Sequence, residues 1–322
     1  MDLFIYILRR LIQTIPLLVI VSLISFFLIR LSPVDPLAEI KLNPSISQET
    51  LDYEIERLGL DKPVIVQYFK WGKSFIKGDM GISVTGEKVV DKLKERIPNT
   101  ILLTGFVILL TWMVGIPLGI IAALNWKKPV DRVLTVLSSI GMAIPSFFFA
   151  LLLLMFAVKT GWFPTGGLTS FNFSGMSFSN KIIDIFWHLV LPVTVLFTIS
   201  LSGLQRQMRG NLLDVLGDDY VKFARAKGLP ETKVVYKHAL RNAINPMITL
   251  LGFEFASLLS GAALTEFVFQ YPGLGRLILE AVLKSDINLV MASLMMGTLM
   301  LVLGNLIADI LLKIVDPRVR IS

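Results

Sequence analysis

The sequence predicts an all-α membrane protein with six transmembrane helices, and three observations carry that prediction. Of 322 residues, 54% are hydrophobic and only 17% charged, and the mean hydropathy is +0.71, too apolar for a soluble domain with its usual apolar share of about 45–50%. Six apolar stretches approach the roughly 20 residues that cross about 30 Å of hydrocarbon. The basic residues are spread unevenly over the segments between them. Zero cysteines exclude a disulfide scaffold, a thiolate metal site and a cysteine nucleophile, and two histidines leave little for a histidine metal centre.

The apolar stretches are 11–31, 101–124, 133–158, 186–204, 247–268 and 288–312. The first follows Arg9 and Arg10, but its run is longer than a signal-peptide core, and Leu31-Ser32-Pro33 lacks small residues placed for cleavage, so it reads as a retained span. Residues 32–98 form one sizeable outer domain. Leu51, Ile55 and Leu58 recur at helical spacing after Ser47. Asp61 and Pro63 open a second helix through Ile65, Tyr68, Phe69, Gly72, Phe75 and Ile76. Gly78-Asp79-Met80-Gly81 reads as a turn, and Val89, Val90, Leu93 and Ile97 lead into the second span at Pro98. Residues 99–312 then hold five spans with a long loop at 205–246, and 313–322 form a tail. Prolines inside or opening spans (Pro16, Pro117, Pro145, Pro192, Pro246) imply kinked helices.

Between the last two spans, residues 273–284 place Leu274, Leu277, Ile278, Ala281 and Val282 on one helical face. The segment is too short to cross. It would lie at the outer interface, either plugging the outer end of a pathway, with Pro272, Gly273, Leu274 and Gly275 as a candidate gate, or resting on headgroups as a connector.

Six spans put both termini on one side, and charge selects it. The segments on the N-terminal side (1–10, 125–132, 205–246 and 313–322) hold 16 Lys and Arg against 7 Asp and Glu. The opposite side holds 15 against 14, with 11 of its basic residues in the long 30–96 segment, which a translocated domain carries with little effect on orientation. Both termini are therefore expected in the cytoplasm. The net charge of +7 is positive-inside bias, and no soluble module interleaves basic residues with aromatics as nucleic-acid binding requires.

The loop at 205–246 is the most informative segment. Asp218 and Asp219 stand where a helix N-cap and an anionic first turn belong. Tyr220, Phe223 and Ala224 share a face, Lys222, Arg225 and Lys227 fill the rest, and Gly228 ends the helix. Pro230 opens a second helix with Val234, Val235, His238, Ala239 and Arg241. A short aromatic helix with a basic rim fits either a groove in a cytoplasmic partner or anionic headgroups.

Three acids fall inside spans, where a charge costs at least about 2.5–3.5 kcal/mol. Glu254 precedes Ser257, Ser260 and Gly261 and is either a pathway residue or a protonated hydrogen-bond donor between helices. Glu266 and Asp309, nearer the span ends, are expected to stay solvated or to cap a neighbouring element. These acids also support a rival reading, an ion-coupled secondary transporter, although the two halves show no repeat of span lengths or broken helices. His188 and His238 fall on opposite sides and read as structural. Gly72-Lys73-Ser74 has Gln67 where a phosphate-binding loop needs its first glycine, and neither a His-Glu-x-x-His nor a Gly-x-Ser-x-Gly pattern occurs.

The stretch from Asp219, DYVKFARAKGL followed by HALRNAINP, resembles the coupling motif of permease subunits of binding-protein-dependent ABC importers of the dipeptide, oligopeptide and nickel group. RRLIQTIPLL, LSPVDP, LGLDKPVIVQYFKW, GDMGIS, GIPLGIIAAL, WFPTGG, PGLG and NLIADILLKIVDPRVR follow in family order over nearly the whole chain. The outer domain before the second span is similar to that of the first of two non-identical pore subunits. The wider motif begins Glu-Ala-Ala and closes Leu-Pro, whereas this chain has Lys222-Phe223-Ala224 and Leu240-Arg241, a variant of the peptide branch.

The resemblance implies a type I importer fold in a prokaryotic cytoplasmic membrane, with residues 219–228 as the coupling helix in a cleft of an ATPase subunit. It implies as partners a second permease subunit, two ATP-binding subunits holding ATP and magnesium, an extracytoplasmic substrate-binding protein and membrane lipid. This chain itself would bind no cofactor or metal and catalyse no reaction. The substrates implied are dipeptides, oligopeptides, nickel chelates or oligosaccharides.

Overall fold

The structure is a computed structural model that describes residues 3–31, 37, 41–58, 60 and 62–315. Within the helices, the side chains of 3–7, 10–11, 29–31, 58, 249, 252–253, 255–261, 308 and 311–315 lie outside the described residues, and so do Asp61 and most of the LSPVDP segment. Every named element among the described residues is helical: α1 Leu3–Leu31, α2 Gln48–Leu58, α3 Val64–Ile76, α4 Val89–Leu124, α5 Pro129–Ala143, α6 Ser146–Thr160, α7 Phe178–Leu216 and α8 Asp219–Ala226. A helical segment α9 at 231–243 follows, then α10 Asn245–Val268, α11 Leu274–Leu283 and α12 Ile287–Val315. An isolated antiparallel bridge, Ile82 to Lys88, closes the turn before α4.

Three helices are long and apolar enough to cross a bilayer among the described residues: α4, α7 and α12. The pair α5 and α6 makes a fourth, and α1 holds the shorter apolar run Ile12–Leu28. The third apolar stretch, expected as one span, is instead broken by 93° between α5 and α6. Ile144 there takes φ −83° and ψ 119°, the extended conformation that a following proline imposes on the residue before it. Pro98, expected to open the second span, lies inside α4, which runs through it for 36 residues, about 54 Å. Asn99 Nδ2 covers the neighbouring Glu95 carbonyl at 3.1 Å.

The chain divides into two compact units, one of 1–101 with 272–302 and the other of 102–271 with 303–322. In the first, Ser47 starts α2 by accepting the Thr50 N–H at 3.2 Å. Trp71, Tyr68 and Phe75 of α3 pack on Phe26 of α1 and on Met291 and Met295 of α12. Asp286 begins α12 by accepting the Leu289 N–H at 3.0 Å, and its other oxygen accepts from Ser83 Oγ (2.5 Å) and the Val84 N–H (3.0 Å). One carboxylate thus caps a membrane helix and holds the turn before α4. Beneath that turn, Arg57 donates to Glu54 Oε2 at 3.0 Å and to Asn288 Oδ1 at 2.7 Å, and both charged side chains are buried. Gly81, at φ +84°, lies directly on the Arg57 guanidinium, where a Cβ would collide with it.

In the second unit α7 is the central helix, packed by α5, α6 and α10 and approached closely by α4. Gly115 and Gly119, one turn apart on α4, meet Leu204 and Met208; a Cβ on Gly119 would stand 2.6 Å from Met208 Cβ. Small residues at this spacing bring helix backbones together where lipid supplies no hydrophobic drive. The α7 hydroxyls of Thr194, Thr198 and Ser202 each return a hydrogen bond to the carbonyl four residues back. That satisfies polar groups that hydrocarbon would otherwise leave unpaired.

Candidate functional site: the helical hairpin at 217–244

Helix α8 starts at Asp218, whose ψ of 148° is extended and whose side chain makes no capping bond. The anionic first turn expected of Asp218 and Asp219 is present, but the capping bond is not. Gly228, at φ +73°, ends the turn after α8 in the left-handed region that glycine adopts without strain. Pro230 opens α9, as expected. The segment is not a uniform α-helix: Glu231–Lys233 is one α-turn, Val234–Ala239 is π-helical and Leu240–Ala243 returns to α. A π-segment is rare outside functional or strained stretches.

The hairpin is rooted in the membrane helices. Val221, fully buried, and Ala224 pack with Val234, Ala239 and Ala243 against Leu204, Met208 and Leu212 of α7, Ile120 and Ala123 of α4, and Met247 of α10. Tyr220 and Phe223 point the other way, 41% and 68% exposed. The face expected for Tyr220, Phe223 and Ala224 together is therefore split: three-residue spacing puts Val221 and Ala224 inward and Tyr220 and Phe223 outward. The aromatic pair is an unburied edge on a helix whose opposite side is fixed in a core.

Polar contacts stiffen this arrangement. The Arg225 fork grips Glu231 across the turn, with Nη2 to Oε1 at 2.7 Å and Nε to Oε2 at 3.1 Å. The Arg225 bond holds the Glu231 carboxyl below its ordinary range and raises Arg225. Asn242 Nδ2 donates to Tyr220 Oη at 2.7 Å, and Lys222 Nζ pairs with Asp219 at 2.9 Å on the surface. Lys222 and Lys227 remain exposed beside Phe223.

The stem is clasped by a pair that sequence reasoning missed. Arg209 of α7 donates to both oxygens of Asp131 at the start of α5, Nε at 2.6 Å and Nη2 at 2.9 Å. The Asp131 carboxyl also accepts the Lys127 N–H at 3.0 Å, and Lys127 takes φ +62° to deliver it. The Arg209 bond is the main reason the Asp131 carboxyl lies below its usual range and Arg209 above its own. One turn deeper, Ser138 Oγ donates to Gln205 Oε1 at 2.5 Å. Four residues separate Gln205 from Arg209, the only trace of this ladder in the sequence.

The remaining candidates fall elsewhere. Glu254 on α10, expected to donate between helices, instead accepts a hydrogen bond from Trp112 Nε1 of α4 at 2.7 Å, because an indole N–H can only donate. The side chains of Ser257 and Ser260 lie outside the described residues. Glu266, expected to stay solvated or to cap a neighbouring element, is not solvated but fully buried; it sits two residues inside the end of α10, where the Tyr271 N–H donates to its backbone carbonyl. Asp309 is partly exposed on α12. Pro272 to Gly275 is pinned to α4: Asn99 Nδ2 donates to the Pro272 carbonyl at 2.8 Å, and the Leu274 N–H to Thr100 Oγ1 at 2.7 Å. On α11, Leu274, Leu277 and Ala281 are buried while Val282 is exposed, so the inward face is narrower than its periodicity implies. His188 is buried, with Nδ1 2.8 Å from the Asp184 carbonyl one turn back, a structural histidine as expected.

A helical membrane chain with an exposed aromatic hairpin rooted between its spans matches a known class. Residues 115–321 match the binding-protein-dependent transport system inner membrane component family, and residues 3–104 its N-terminal companion. The chain belongs to this family and is a multi-pass membrane protein, a permease component rather than a catalytic subunit.

Similar proteins extend over the whole chain. The oligopeptide transport system permease protein AppB of Bacillus subtilis is 41% identical over 318 residues, 98% of this chain and 99% of its own length. The di/tripeptide transport system permease protein DppB of Pseudomonas aeruginosa is 36% identical over 334 residues, covering 98% of each. The glutathione transport system permease protein GsiC of Escherichia coli is 34% identical over 319 residues, again covering 98% of each.

Proposed function

We propose that this chain is one of two pore-forming permease subunits of an ABC importer that carries di- or oligopeptides inward across a prokaryotic cytoplasmic membrane by ATP-driven alternating access. Six spans with both termini in the cytoplasm put the 217–244 hairpin on the cytoplasmic side and the 32–98 segment outside, facing a substrate-binding protein. Helix α8 docks in a cleft of an ATPase subunit, which holds the ATP and magnesium. The peptide substrate is inferred from the names of the relatives, which also weigh against an ion-coupled transporter built on Glu254, Glu266 and Asp309.

The observation that carries this reading is the two-sided seating of α8, with Val221 and Ala224 in the core shared by α4, α7 and α10 and with Tyr220 and Phe223 outside it. A helix seated in this way transmits a push on its outer edge to three membrane helices at once. Shifting a two-state equilibrium from 1:99 to 99:1 takes about 5.5 kcal/mol of differential binding, within reach of a buried helix interface. The Pro272–Gly275 segment, pinned by Asn99 and Thr100, is the proposed outer gate.

The test is to isolate the complex in mild detergent and identify its subunits, in the wild type and in Phe223→Asp. The wild type should yield a second permease chain and two ATPase chains. Phe223→Asp should lose the ATPases or hydrolyse ATP without uptake, while this chain keeps its helicity. Full ATP-driven uptake by the variant overturns the docking role.

A further inference from the structure

We propose that the groove between α1 and α3 is a binding site for an anionic glycerophospholipid, one acyl chain lying along the groove and the phosphate held by Lys73 and Lys77. The inference rests on α1 crossing the bilayer and is otherwise independent of the substrate or the ATPase partners.

Helix α3 has two apolar faces. The inner one, Tyr68, Trp71 and Phe75, is consumed by packing on α1 and α12. The outer one runs Ile65, Phe69, Gly72 and Ile76, at spacings of four, three and four residues, and is left bare: Phe69 is 67% and Ile76 87% exposed. A cavity of about 470 Å³ opens there, with Val19, Tyr68, Phe69, Gly72 and Ile76 on its sides and Lys73 and Lys77 beside them. Its volume falls in the range of small-molecule sites.

Two observations select the occupant. Val19 belongs to the exposed apolar stripe Ile12, Ile15 and Val19 of α1, so the groove continues the lipid-facing surface of a span. Lys73 and Lys77, one helical turn apart and about 6 Å between Cβ atoms, are both exposed. Neither ammonium has a carboxylate partner among the described residues. The nearest acid in the chain, Asp79, is engaged by Tyr53 Oη and the Gly81 N–H. Lys70, on the same helix, is turned to the Glu56 carbonyl. An apolar trough open to lipid with two unneutralised lysines at its side complements a single-chain apolar tail joined to a phosphate. An outer protein partner would have to cover Ile76 and Phe69 while matching two positive charges in a surface contiguous with hydrocarbon.

The test uses the intact complex reconstituted in nanodiscs of phosphatidylglycerol or phosphatidylcholine, then transferred to detergent and read by native mass spectrometry for retained lipid. The wild type should retain one phosphatidylglycerol per chain in preference to phosphatidylcholine by roughly twentyfold, two lysines each contributing about a factor of five near an anionic headgroup. Lys73→Ala with Lys77→Ala should abolish that preference. Gly72→Leu should remove the retained lipid whatever its headgroup: a Cβ at Gly72 meets nothing within 4 Å, so the new side chain enters the trough without disturbing α3. Equal retention of both lipids by the wild type overturns the proposal. Unchanged phosphatidylglycerol in Gly72→Leu does so too, as does cross-linking of Lys73 to another polypeptide in a lipid-free complex.

Discussion

Replacing Asp131 by Asn tests whether the clasp between α5 and α7 holds the stem of the hairpin. The substitution keeps the volume and one acceptor but removes the charge that Arg209 grips at 2.6 and 2.9 Å. Hydrogen bonds to charged groups contribute about 1.5–3 kcal/mol. The Asp131 side chain is 5% exposed but that of Arg209 25%, so water recovers part of the guanidinium's solvation and the loss falls near the lower end, about 2 kcal/mol. For a unit of this size that lowers the apparent Tm by about 4–8 °C, measurable as loss of monodisperse detergent-solubilised protein on heating.

Arg209→Gln should cost at least as much, because it leaves a carboxylate buried. The double variant should be markedly better than the sum of the two. The sign with pH follows from the depressed Asp131 pKa: its stabilisation is complete above the ordinary carboxylate value of about 4 and is lost as pH falls through the lower folded value. The gap between wild type and Asp131→Asn should therefore be level from about pH 5 to 8 and close below about pH 4. Additive single effects, or shifts under about 1 °C, would refute the clasp as a stabilising link.

Other consequences are as direct. Gly81→Ala puts a methyl group into the Arg57 guanidinium at a φ of +84° and should destabilise the first unit by about 3 kcal/mol or more, read as early proteolysis of the 77–88 turn; a wild-type profile counts against the close approach. Trp112→Phe should cost about 1 kcal/mol by removing the donor to Glu254, and Glu254→Gln on that background should add little if the two act as a pair. Because the chain has no cysteine, single cysteines report sidedness: Gly86→Cys should react with an impermeant reagent from outside and Lys128→Cys only after permeabilisation. Lys128 is exposed whereas Asp131 is buried in the clasp, and the reverse pattern would invert the topology.

The local rules worked where a residue's neighbours in sequence are also its partners. Ser47 opens α2, Gly228 ends the turn after α8 and Pro230 opens α9, because caps and left-handed turns are settled within a few residues. They failed where the partner is remote. Nothing within a few residues of Glu54 and Arg57 marks them as buried, yet both are buried beside Asn288, more than two hundred residues away. Asp286 caps α12 through Leu289, three residues on, but its hold on Ser83 and Val84 reaches some two hundred residues back.

Composition and apolar run lengths were enough to determine a helical membrane protein, since hydrocarbon demands that each backbone polar group be satisfied within its own helix, and local punctuation at Gly228 and Pro230 marked the turn of its hairpin. Family membership was likewise legible in the motifs of the chain. Only the tertiary structure decided which faces those helices bury. Helical spacing allows Ala224 to share a face with either Tyr220, four residues back, or Val221, three back, and the choice falls to Val221 because α4, α7 and α10 together provide a core there. The same holds for the clasp: Asp131 and Arg209 are 78 residues apart, and what brings them within 3 Å is the packing of α5 on α7 at Gly141 and Ser202, where a Cβ on the glycine would not fit.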